Sequence, residues 1–125
     1  MGDFDYQDYI LLYNRLRCDD VIFHPEVFKS CIGRTVPVVH GDGFNMVCLG
    51  TAIIEQDHLG VFAKCKFFDT DIGNLAKQIL LDTDEMTISC PIYCVKRDGK
   101  HVISGDIRRI NVIPKLSAFT YSGDQ

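Results

Sequence analysis

The chain has 125 residues, 46% of them hydrophobic and 24% charged, which fits one soluble domain with a core of its own. Thirteen Lys and Arg against 17 Asp and Glu give a net charge of −4, with the cations scattered, which excludes the basic footprint of a nucleic-acid binder. No apolar run approaches the roughly 20 residues that cross a bilayer. The acidic, aromatic start "MGDFDYQDYILLYNRLR" also lacks the form of a secretory signal, so synthesis in the cytoplasm and no membrane partner are expected.

Residues 4–17 mix aromatic, aliphatic and polar side chains and read equally as a short amphipathic helix or an extended arm. In "HPEVFKSCIG" (24–33), Pro25 suits a first turn and Gly33 a stop, so a short helix is predicted. "TVPVVH" (35–40) is a brief strand and "GDGFN" the loop after it. "MVCLGTAIIE" (46–55) and "GVFAKCKFF" (60–68) form a hairpin. In its second strand Val61, Ala63, Cys65 and Phe67 alternate with Phe62, Lys64 and Lys66, the period of a half-buried strand. "DTDIGNLAKQILLDTDE" (69–85) is the clearest helix. Its stripe of Ile72, Leu75, Ala76, Ile79 and Leu80 follows helical spacing, and Asp69 and Asp71 suit its N-terminal end. "EMTISCPIYCV" (85–95) reads as one strand, with Ile88 and Cys90 on its apolar face and Ser89 on the other. A tight turn around Asp98–Gly99 leads into a returning strand over 101–114, ended by Pro114. The tail "KLSAFTYSGDQ" offers Phe119 and Tyr121 as anchors. These elements predict an α+β domain: a mainly antiparallel, barrel-like β-sheet with two or three helices. The predicted layout is a single domain over 1–125, with an arm or helix at 1–19, a core at 20–114 and a tail at 115–125.

Cys48, Cys65, Cys90 and Cys94 sit in apolar strand patterns, and the cysteines, Cys18 and Cys31 included, are expected to be reduced, buried thiols. No C-x-x-C pair occurs, so neither a metal nor another cofactor is expected. His24, His58 and His101 read as exposed residues. The acids around the helix read as caps and solubilising charges. "HGDGFN" lacks the Lys–Ser/Thr and the following helix of a phosphate loop. A serine needs a base beside it to become a nucleophile, and His40, at a strand end before a Gly-rich loop, is the candidate base for Ser89. Linear spacing does not bring the two together, because such dyads are assembled by the fold.

From about Asp20 to Pro114 the order of segments resembles the tailed-phage prohead (capsid-maturation) proteases, serine proteases distantly similar to the herpesvirus assembly protease. The resemblance is carried by "DDVIFHPEVF", "VPVVHGD", "LGTAIIEQDHLGVFAKCKF", "MTISCPIY" and "GDIRRINVIPK". It implies a prohead-protease-like fold, with the base at His40 and the nucleophile at Ser89. It also implies a carboxylate in the last strand, where this chain has Arg109. An arginine there opposes an imidazolium rather than stabilising it. Asp106, the nearest acid, falls on the opposite face of that strand. Pro91 stands where the family tends to have Gly and cannot donate an N–H to an oxyanion.

The expected function is therefore a virion structural protein, a capsid decoration or auxiliary protein on an inactive protease-like fold. Its partners would be the major capsid protein or other virion proteins, and its own copies in a homo-oligomer. The alternatives are an active prohead maturation serine endopeptidase cleaving scaffold or capsid precursor, and an unrelated small β interaction domain.

Overall fold

The computed structural model of the protein describes residues 4–16, 20–41 and 43–115. Eight strands are described: β1 (Tyr6–Leu12), β2 (Thr35–His40), β3 (Val47–Gln56), β4 (Gly60–Phe67), β5 (Met86–Ser89), β6 (Ile92–Asp98), β7 (His101–Ile107) and β8 (Ile110–Pro114). The α-helix α1 spans Asp71–Asp82. Six strands form one sheet in the order β1-β4-β3-β2-β8-β5. Its two end strands approach each other, so the sheet curls into a nearly closed barrel. β6 and β7 form a separate two-stranded sheet.

The period of two in 60–67 becomes β4, with Val61, Ala63, Cys65 and Phe67 buried. Its antiparallel partner β3 places Ile54 opposite Ala63 and Ala52 opposite Cys65, so one face of the hairpin fills the barrel. β2 adds Val36 and Val38 to that face. Between Val38 and Val39 the register with β3 slips by one, because β3 carries an extra residue there. This bulge turns Leu49 inward and leaves Cys48 exposed. β8 runs parallel to β2 and antiparallel to β5. Ile110 and Val112 from β8 and Ile88 from β5 complete the inner face. Phe28 and Ile107, both fully buried, extend the core toward the smaller sheet.

Of the two readings of the N-terminal segment, helix or extended arm, the extended one holds: β1 pairs with β4, and Leu11 and the following Tyr13 enter the core. Four expectations are corrected. Residues 24–33 form a turn and a 3-10 turn over Lys29–Cys31, not an α-helix, because no side chain caps its first turn and Gly33 ends it at a φ of 86°. Only one α-helix is present among the described residues, with a second 3-10 turn over Gly43–Asn45. The strand read over 85–95 is two strands in different sheets. They break at Cys90–Pro91, where proline has no N–H for a ladder. The returning strand read over 101–114 likewise divides at Arg108–Arg109 into β7 and β8. Phe119 and Tyr121 lie outside the described residues.

The β6–β7 hairpin is fastened at two places. Ile22 bridges to it, donating its N–H to the Lys100 carbonyl at 2.7 Å and accepting from the Val102 N–H at 3.0 Å. Asp106 on β7 accepts from Arg34 at 2.6 Å and from Arg108 at 2.8 Å.

Candidate functional site

Each predicted site residue lands on a strand, so register decides what it can reach. Paired residues in a ladder project to the same side, and successive residues along a strand to opposite sides. Ser89 on β5 pairs with Asn111 on β8, and Asn111 pairs with Val39 on β2. Ser89, Asn111 and Val39 therefore share the outer face of the barrel. His40 is one residue further along β2 and shares the inner face with Val112. By register the two side chains leave opposite faces of the sheet. Among the described residues no hydrogen bond joins them, and the fold does not assemble the dyad that the resemblance implies.

His40 has a different partner. Its Nδ1 lies 2.9 Å from the Val112 carbonyl oxygen. A carbonyl only accepts, so Nδ1 carries the proton and Nε2 is the bare nitrogen of the neutral ring. Arg109 does not stand in for a catalytic acid. Its guanidinium lies 6.0 Å from the centre of the Tyr93 ring, and one terminal nitrogen is 3.9 Å from the Met46 sulfur. Its Nε and the Asn111 Oδ1 are buried without hydrogen-bond partners. The nearby Asp106, held by Arg34 and Arg108, is engaged in fastening the hairpin. Pro91, separated from the end of β5 by Cys90, has no N–H to offer.

The feature that the structure does assemble is apolar. Between α1 and the inner face of the barrel runs a groove of about 250 Å³, lined by His40, Leu49, Ile72, Leu75, Ala76, Ile79, Met86 and Val112. The helical stripe predicted from residues 72–80 is only partly covered. Leu80 is buried and Ala76 and Ile79 are half-buried, while Ile72 and Leu75 remain 43% and 55% exposed. His40 is the one polar side chain of that lining. A residue not singled out in the sequence, Phe44, lies in the 3-10 turn Gly43–Asn45 with its side chain fully exposed. An aromatic residue in the polar loop "GDGFN" was the signal available for it.

The remaining histidines are not arranged for catalysis. His24 and His101 stack with ring centres 5.0 Å apart and a 2.8 Å contact between His24 Nε2 and His101 Nδ1. Asn14 Oδ1 takes up the other nitrogen of His24 at 3.2 Å. His58 is exposed in the β3–β4 turn. Among the described residues no three His, Cys, Asp or Glu side chains converge as metal ligands. No described helix is long and apolar enough to cross a membrane.

Searches against protein-family models, curated proteins and solved structures return no match to this chain.

Proposed function

We propose that the protein is a non-catalytic structural protein of a bacteriophage virion, a capsid decoration or auxiliary protein built on a prohead-protease-like fold. The non-catalytic part is carried by one observation: the register that sets Ser89 and His40 on opposite faces of the sheet. Arg109 in the place of an acid and Pro91 after Ser89 point the same way. The phage part is supported by the order of the five resembling segments. An apolar groove and a solvent-exposed phenyl ring suit a protein that works by docking rather than turnover.

Two measurements test the reading. A fluorophosphonate probe, which labels activated serines, is expected to leave the folded protein unmodified. Pro91→Gly combined with Arg109→Glu is expected to stay equally inert, because neither change moves His40 across the sheet. Labelling that disappears in Ser89→Ala would overturn the non-catalytic reading in favour of a maturation endopeptidase. Mass spectrometry of purified particles is expected to find the chain in the mature virion. Its absence there would overturn the virion assignment and leave a small β interaction domain.

A further inference from the structure

We propose that the contact between His24 and His101 is an acid-sensitive latch on the β6–β7 hairpin, closed while the two rings share one proton between their facing nitrogens and open when each nitrogen carries its own. His24 Nε2 and His101 Nδ1 are 2.8 Å apart, with the ring planes within 21° of parallel. A contact that short holds a single proton, carried by one nitrogen and accepted by the other. Asn14 Oδ1 faces His24 Nδ1 at 3.2 Å and, as an amide oxygen, accepts its proton. His24 Nε2 is then the bare nitrogen, and His101 Nδ1 donates to it. This relay ties together three segments far apart in the chain: Asn14 beyond the end of β1, His24 beyond Ile22, and His101 at the start of β7. Turning the Asn14 amide over reverses the relay but still leaves one proton between the rings.

Added protons act on this arrangement in two steps. The first goes to His101 Nε2, which has no hydrogen-bond partner among the described residues, and the contact becomes charge-assisted. The second has only His24 Nε2 left, the nitrogen that accepts. Two N–H groups then point at each other, and two cations face across one gap. Among the described residues neither imidazole forms an ion pair with an acid that would offset this. The charged residues on the surrounding segments are Arg15 after β1, Asp20 and Glu26 on either side of His24, and Asp98 and Lys100 at the hairpin turn. Asp20 and Lys100 hold each other at 3.7 Å, and Asp98 lies opposite His101 in the ladder without an ion pair to it.

The rings latch a piece of backbone. Ile22 bridges to His101, and its two hydrogen bonds, to the Lys100 carbonyl and from the Val102 N–H, fall on either side of that histidine. Parting the rings pulls on both bonds. The other fastening survives, because Arg108 and then Arg34 hold the Asp106 carboxyl near 2, so it stays ionised. Acid therefore opens the turn end of the hairpin and leaves the Asp106 end shut. The sign follows from proton counting: the open form binds one proton more than the closed form, so opening grows as pH falls through the range in which imidazoles charge.

Amide hydrogen exchange read by NMR on the full chain tests the latch, with each rate divided by that of an unstructured chain at the same pH. Between about pH 7.5 and about pH 5, protection of the Ile22 and Val102 amides is expected to fall about tenfold or more. The Ile54 amide, bonded to the Arg34 carbonyl in the main sheet, is expected to keep its protection. His101→Asn supplies an amide donor in place of Nδ1–H and takes up no proton, and His24→Gln supplies an amide oxygen in place of Nε2. Each alone is expected to abolish the fall, whereas His58→Asn, in the β3–β4 turn, is expected to leave it intact. Circular dichroism checks that the variants remain folded. Protection at Ile22 and Val102 that does not change with pH in the wild type would overturn the proposal. So would a fall that persists in either His101→Asn or His24→Gln, or one shared equally by Ile54. None of these outcomes depends on the virion assignment, which particle composition tests separately.

Discussion

Gly50 sits where β3 carries one residue more than β2 opposes, and the neighbouring strand β4 comes so close that a Cβ there would collide with the Lys66 carbonyl. Gly50→Ala is therefore expected to lower the unfolding free energy by about 2 kcal/mol or more, measurable by urea titration. The same bulge explains a misread residue. Simple alternation from Ile54 and Ala52 carries Cys48 inward, but the extra residue moves it to the exposed side. Cys94, also expected in an apolar pattern, is exposed at a φ of 56° in an irregular part of β6. Cys65, where alternation is unbroken, is buried, and burial, with Asp5 and Asp8 nearby, pushes its thiol up to about 12. Thiol labelling of the native protein should accordingly modify Cys48 and Cys94 well before Cys65 and Cys31. Asp106 gives a pH dependence of definite sign. Hydrogen bonds from Arg108 and then Arg34 hold its carboxyl near 2, below its ordinary 3.8. Its contribution is complete above about pH 4 and is lost as pH falls through about 2. Because the side chain is 29% exposed, solvent limits that contribution to about 1 kcal/mol. Asp106→Asn should remove this component of acid destabilisation in pH-dependent melts.

The elements differ in how far local pattern specified them. The β3–β4 hairpin and α1 lie close to their predicted spans, because both rest on short-range periodicity and local end signals. Thr70 caps α1 by accepting the Gly73 N–H at 3.1 Å, and Thr70→Ala is expected to cost about 1 kcal/mol. The breaks at Pro91 and at Arg108–Arg109 were not legible in the same way. The apolar alternation runs on from β5 into β6, and only the tertiary fold sends the two strands into separate sheets. The β6–β7 hairpin that results has an irregular register and an exposed run from Cys94 to His101. Two-stranded sheets have little stability of their own. Amide hydrogen exchange is expected to be much faster at residues 94–100 than in β3 or β4, despite the fastening at Ile22.

At the scale of the whole molecule, the sheet is completed by its two least local pairings. β1 joins β4 across about half the chain, and β8 inserts between β2 and β5. Neither leaves a trace in local periodicity, which is why the first residues read equally as helix or arm. Leu11→Ala in β1 should lower global stability by about 2–4 kcal/mol, seen as an earlier single transition in thermal unfolding, since Leu11 packs in the common core. The candidate site was legible to the same extent as the fold. Residue types and their order named His40, Ser89 and Arg109, but which side of the sheet each faces depends on pairings made at long range. The position of β8 between β2 and β5 has one more consequence. Whether His40 could ever meet Ser89 is a matter of parity: an odd offset along β2 separates it from the row containing Val39, Asn111 and Ser89. Substitution leaves parity untouched, so no exchange at Ser89, Pro91 or Arg109 opens a mutational path to hydrolysis. Loss of a single residue between Val38 and His40 would turn the imidazole outward in one step. A search for catalytic revertants belongs among one-residue deletions in β2.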